Sequence, residues 1–181
     1  QAGDLQLGKV DAGGSEGIVD RYLESVDVAV RKFRSMRKLN SLGTINLMFP
    51  GDCIEGNQSQ NGRNFWRTDL TITEQVRVFR RLLMHTVSEF APLTDELLVR
   101  VVGGNHDEVQ RFQATKPGDN HATEAAVAVS DAIAMNSDAY GHVSVEIPSE
   151  DKSHMTVAAG DTIFTIVHGH QWRRNGAMQW W

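Results

Sequence analysis

An α/β fold, turning to α+β in its later part, is predicted by three features of this sequence. Two apolar strand-like runs at 44–49 and 97–102 flank a long amphipathic segment, each run ends at a Gly-containing turn, and short β-rich segments replace helical periodicity after residue 141. With 181 residues, 40% apolar and 23% charged, the chain has the composition of one globular unit, and 1–181 is read as a single domain.

The elements follow in order. Val19, Tyr22, Leu23, Val26, Val30 and Phe33 recur at helical spacing, with Arg21, Glu24, Asp27, Arg31 and Arg34 on the opposite side, so a surface helix is expected over 16–39. Residues 44–49 form a strand stopped by Pro50-Gly51. Thr71-Ile72-Thr73-Glu74 has the capping-box pattern and opens a helix over 72–90 through Val76, Phe79, Leu82, Leu83 and Val87. A strand over 97–102 follows, ending at Gly103-Gly104. Strand, helix, strand in that order is a crossover unit, which implies parallel strands in one sheet and ligands at their carboxyl ends. After an Ala-rich helix near 122–136, the segments 142–147, 154–158 and 162–167 read as an antiparallel meander, making the sheet system mixed.

Composition narrows the functional classes. No run of eighteen apolar residues exists and the first residues carry neither a basic segment nor an apolar stretch, so neither a membrane span nor a secretion signal is expected. One cysteine, Cys53, closes no internal disulfide, which fits a reducing, cytoplasmic setting. A net charge of −5 speaks against a broad basic surface for nucleic acid, so any phosphate recognition has to be local, and bound cations are the obvious local source of positive charge.

Three strand ends carry ligand-type side chains beside glycine. They are Gly51-Asp52-Cys53-Ile54-Glu55-Gly56, Gly104-Asn105-His106-Asp107 and His168-Gly169-His170, with Gly3-Asp4-Leu5-Gln6 repeating the character near the start. Each alone is an ordinary polar turn. Together they converge, because successive parallel strands bring their ends to one edge where Asp4, Asp52, Asn105 and His168 can meet.

These blocks resemble, in order, those of the calcineurin-like metallophosphoesterases: Asp-x-His, Gly-Asp-x-x-Asp/Glu, Gly-Asn-His-Asp/Glu, a lone His and Gly-His-x-His. The resemblance spans nearly the whole chain, and Gly104-Asn105-His106-Asp107 with the upstream Gly51-Asp52 is its most specific part. It implies a four-layer αββα sandwich of two mixed β-sheets flanked by helices. It also implies two divalent metal ions, manganese first, with Fe, Zn, Ni or Mg as alternatives, on Asp4, Gln6, Asp52, Asn105 and His168. Cations sharing Asp52 would acidify a bridging water and draw in a phosphate oxygen. His106 would contact the phosphate and protonate the leaving oxygen, with Asp107 orienting its ring or capping a helix. Two departures stand out. Gln6 occupies the place of a ligand His, and Gly169-His170-Gln171-Trp172 lacks the second His of the last block, which is expected beyond Trp181 in a domain truncated at both ends.

Substrate-binding candidates are His170 and the loop residues Arg63 and Trp66, where aromatic and guanidinium surfaces can stack a base and clamp a phosphate. Packing of Phe65 and Trp66 against the domain or a partner subunit is the more ordinary use of such residues. Trp172, Arg173, Arg174, Trp180 and Trp181 raise the same choice. Glu55 is read either as a hydrogen-bond partner of a ligand or as a solvated carboxylate, and Cys53 as a small packing residue. The expected substrate is a phosphate ester, on the nuclease and phosphodiesterase side of the family, with DNA or a nucleotide in view and oligomerisation open. The competing expectation is a catalytically degenerate domain that binds a partner protein.

Overall fold

Three strands, β1 (Thr44–Phe49), β2 (Glu96–Val101) and β3 (Val143–Glu146), lie parallel and in that spatial order, with Leu47 opposite Val99 and Val99 opposite Val145. This sheet belongs to a computed structural model that describes residues 1–111 and 115–172. Around it stand the helices α1 (Gly14–Arg37), α2 (Ile72–Phe90) and α3 (His121–Ala134), followed by the single turn α4 (Ser137–Tyr140). A separate antiparallel hairpin, β4 (His154–Ala159) and β5 (Thr162–Val167), completes a mixed α/β architecture.

Helix ends show why these segments fold locally. Thr71 and Glu74 make both halves of the expected capping box at the start of α2. Helix α1 has glycine at its cap, and the distant Asp69 carboxylate substitutes, accepting from the Ser15 backbone N–H at 2.7 Å and from its hydroxyl at 2.5 Å. Asn120 caps α3 by accepting from the N–H groups of Ala122 and Thr123, while its Nδ2 donates to the Gly104 carbonyl at 3.2 Å.

Two cores of unequal size flank the parallel sheet. On one face Ile45, Phe49, Leu97, Val99 and Val101 join α2 and α3 through Phe79, Leu83, Val87, Ala126 and Val129. Phe49 and Phe79 meet edge to face with centroids 6.0 Å apart. The opposite face is smaller: Val102, with Met48 beside it, packs on Val157 and Ile166 of the hairpin. Arg100 is buried there too, yet satisfied, its guanidinium donating to Glu146 at 2.9 Å and to Asn46 at 2.5 Å across the three strands.

Two expectations need correction. The segment at 142–147 is no part of a meander: β3 pairs parallel to β2, because α3 between them provides a second crossover. Among the described residues neither sheet is mixed; one is parallel throughout and the other antiparallel. The four side chains Arg173, Arg174, Trp180 and Trp181 lie outside the described residues. No helix among the described residues is long and apolar enough to cross a membrane.

Candidate metal centre

The carboxyl ends of β1 and β2 and the end of β5 deliver the polar side chains to one place. Residues 2–7 run beside β1 and its exit loop, with Ala2 N–H donating to Met48, Asp4 N–H to Gly51 and Gln6 N–H to Asp52. That ladder sets Asp4 next to Asp52. Three residues at this crossing hold left-handed backbone without being glycine, Asp4 at φ 53°, Gln6 at φ 48° and Asp52 at φ 52°. Such conformations are strained and persist where the surroundings over-determine them, most often at functional sites.

Asp4, Asp52 and His168 form a triad whose ligand atoms all lie within 4.8 Å of one another. His168 Nε2 is 3.2 Å from Asp52 Oδ2 and 3.7 Å from Asp4 Oδ1. Two carboxylates and an imidazole, without thiolate, are the donor set of a hard or borderline divalent ion. A cation also answers the repulsion of two carboxylates placed together, so the residues fit one ion. Among the described residues no second group of three His, Cys, Asp or Glu side chains has this spacing.

Asn105 stands on the loop that abuts Asp52. Its neighbour His106 donates its backbone N–H to Asp52 Oδ1 at 3.0 Å, and on its other side Gly104 lies so close that a Cβ there would run into Asp52. A glycine is required at 104 for that reason. Gln6, the other amide in the expected ligand set, has its Oε1 engaged by Lys9 Nζ at 2.9 Å.

The His106 ring is oriented by Glu55. Its Nδ1 is 3.0 Å from the Glu55 carbonyl and 3.3 Å from Glu55 Oε2, and its Nε2 is 3.9 Å from Asp52 Oδ2. Asp107 does not take this role and caps no helix. It is fully buried and accepts from the Ile54 N–H at 2.9 Å and the Gly104 N–H at 2.8 Å, clamping the β1 and β2 exit loops together. Two further buried amides brace the loops and carry no motif that would reveal them: Gln75 accepts from Gly56 N–H and donates to Leu70, and Asn120 holds Gly104. Cys53 is buried among the core residues, as expected of a packing residue.

The electrostatics are those of a site short of positive charge. Burial pushes the Asp52 carboxyl up, but the hydrogen bond from His168, the His106 N–H and the two imidazoles outweigh it and hold it below the ordinary range. The hydrogen bonds to Asp52 and Glu55 raise His168 and His106 respectively, against burial. His170, 3.0 Å from His168 between Nδ1 atoms, is pushed down to about 4 by burial and then by its neighbour. The His168 contacts with Asp52 and His170 thus link the directions at all three groups. Burial, with the nearby Asp52 carboxylate adding to it, drives Asp107 up to about 6 against its backbone hydrogen bonds, and burial followed by the carboxylates of Asp107, Asp52 and Asp4 drives the Cys53 thiol well above its usual value.

Two clefts adjoin the triad. One of about 420 Å³ is lined by Gly104, Glu108 and His170, with the exposed Arg111, Lys116 and Lys152. Arg111 pairs with Glu108, and Lys116 with Glu150. The other, about 200 Å³, opens beside His106. The loop aromatics are exposed, Phe65 by 51% and Trp66 by 87%, and they meet each other edge to face at 5.2 Å, with Arg63 and Arg67 also exposed. No family model, no curated protein and no solved structure matches this chain.

Proposed function

We propose that the chain is a calcineurin-like metallophosphoesterase domain that hydrolyses phosphodiester bonds of nucleic acid or nucleotides. The observation that carries this reading is the convergence of Asp4, Asp52 and His168, drawn from three separate segments, beside an imidazole on the Gly104-Asn105-His106 loop. Helices on one face of the parallel sheet and the hairpin on the other support the four-layer sandwich of that family. Asp52 would be the ligand shared by two ions, with Asp4, Gln6, Asn105 and His168 as the further ligands; manganese is the first choice and Fe, Zn, Ni or Mg are the alternatives. Bound cations supply Lewis acidity, which activates water and neutralises phosphate charge.

The chain's own residues do the rest. His106 holds a proton toward the leaving oxygen, a task worth roughly 10²–10⁴-fold in rate. Glu55 keeps that imidazole charged and aimed. The exposed Phe65 and Trp66 pair, flanked by Arg63 and Arg67, offers a stacking surface for a base, and His170 lines the larger cleft. Hydrolysis of bis-p-nitrophenyl phosphate with added manganese, lowered about 100-fold or more in His106→Ala, is the expected result; absence of turnover, or an unaffected variant, overturns the assignment.

A pH effect follows from the Glu55 contact. His106 acts protonated, so the rate falls as pH rises through its pKa, which Glu55 lifts above the ordinary histidine value. In Glu55→Gln that fall should begin at lower pH, as read from kcat against pH; coincident profiles would deny Glu55 this role. The second reading, a degenerate fold that binds a partner protein, is favoured by Gln6, whose amide oxygen is tied to Lys9. It expects no manganese-dependent turnover.

A further inference from the structure

The cleft of about 200 Å³ beside His106 combines features that the hydrolytic centre leaves unused. Asn64, 2% exposed, donates its Nδ2 to the Glu55 carbonyl at 3.2 Å, to Glu55 Oε1 at 3.1 Å and to the Gly56 carbonyl at 3.3 Å. Three acceptors around one nitrogen fix the amide orientation, so Oδ1 faces the other way, and it has no donor. Glu55 is 5% exposed, and its Oε2 is taken up by His106, whose Nδ1 stands 3.3 Å away as its ion-pair partner. A buried acceptor left without a donor costs free energy and is rare in native proteins, so Asn64 Oδ1 points to a donor that arrives with a ligand.

The rest of the lining carries the opposite requirement. Lys9 and Arg67 line it beside His106, and among the described residues their carboxylate contacts are to the exposed Asp11, at 4.0 Å and 3.9 Å. Ion pairs that long and that exposed hold little, so both cations can turn to a stronger anion. A free metal cation would satisfy the acceptor but be repelled by Lys9 and Arg67. A bare anion would satisfy the cations and leave the acceptor orphaned. A hydroxyl group next to a phosphate satisfies both, and the cleft is smaller than pockets that enclose whole drug-sized ligands.

We infer that this cleft binds one sugar phosphate unit of the substrate next to the scissile bond, with the phosphate between Lys9 and Arg67 and the sugar 2′-hydroxyl donating to Asn64 Oδ1. The inference deepens the phosphoesterase reading and rests on it for the position of the cleaved bond. It makes the preferred substrate a nucleotide chain or dinucleotide carrying a second phosphate one unit away.

Two measurements test it separately from the parent reading. With manganese, a dinucleotide bearing a terminal phosphate should be hydrolysed with higher kcat/KM than the same dinucleotide without it. Arg67→Gln and Lys9→Met should each lower that advantage by about tenfold relative to bis-p-nitrophenyl phosphate, the size of one charge-assisted hydrogen bond. Without metal, calorimetric titration should show ribose 5-phosphate binding more tightly than inorganic phosphate, and Arg67→Gln weakening it. Hydrolysis in which the variants keep the full advantage overturns the inference and leaves the parent reading standing. Sugar phosphate binding that depends on Arg67, in a chain that hydrolyses nothing, upholds the cleft and overturns the parent reading. Equal binding of the two phosphates overturns the hydroxyl half.

Discussion

Asp52→Asn is expected to abolish manganese binding in calorimetry and to cut manganese-dependent hydrolysis of bis-p-nitrophenyl phosphate by well over 100-fold. Losing even an outer partner of a metal ligand costs roughly 10–100-fold in affinity or activity, and Asp52 is placed at the centre of the triad. The substitution is nearly isosteric, so the fold should survive. The amide can still accept the His106 N–H through its oxygen, and Asn tolerates the left-handed backbone that Asp52 holds. A variant that binds manganese and turns over like the parent would remove Asp52 from the site.

The second large effect is on stability. Asp107→Asn replaces one carboxylate oxygen with an NH₂ group facing a backbone N–H, either that of Ile54 or that of Gly104, inside a fully buried setting. One donor is left unsatisfied and another is forced against it, which should cost about 2–4 kcal/mol and lower the melting temperature by roughly 5–15 °C. The sign of the pH dependence is also set. Burial raises Asp107 to about 6 in the folded chain, above the ~3.9 of an unfolded aspartate. Its ionisation therefore subtracts from stability as pH climbs from 4 to beyond 6, a loss that the Asn variant does not share, so the gap between the two proteins should narrow over that window. Melting curves at pH 4.5 and 7.5 measure it; a gap that widens, or a melting temperature unchanged by the substitution, would show that the clamp between the loops is unimportant.

Much of the architecture could be read from periodicity because helices and strands write their buried faces into the sequence. Helix α2 runs over 72–90 as its capping box and apolar spacing indicate, and β1 over 44–49 as its bounding Pro50-Gly51 requires. Partner choice is written less plainly. Every residue of β3 is half-buried, so its pattern does not tell a parallel neighbour from an antiparallel one, and only the crossover through α3 decides. At the site, Asp4, Asp52 and His168 were legible because ligand side chains beside glycine at strand ends are unusual in combination. Gln75, Asn120 and the clamp of Asp107 were not, since a buried amide or carboxylate that satisfies loop backbone has no spacing rule. Asn64 was missed for a related reason: aromatic residues usually signal burial, and in that loop Asn64 is buried while Trp66 is exposed.

His168 reaches the triad from the end of β5, and the hairpin behind it is anchored by far fewer apolar side chains than the helix-covered face that carries Asp52. The imidazole thus sits on the looser half of the molecule and the carboxylate on the firmer half. An ion shared by both would be a rivet across that seam. Losing it and loosening the hairpin would then become one event, so that occupancy of the proposed centre would govern how often the second, smaller core opens to water.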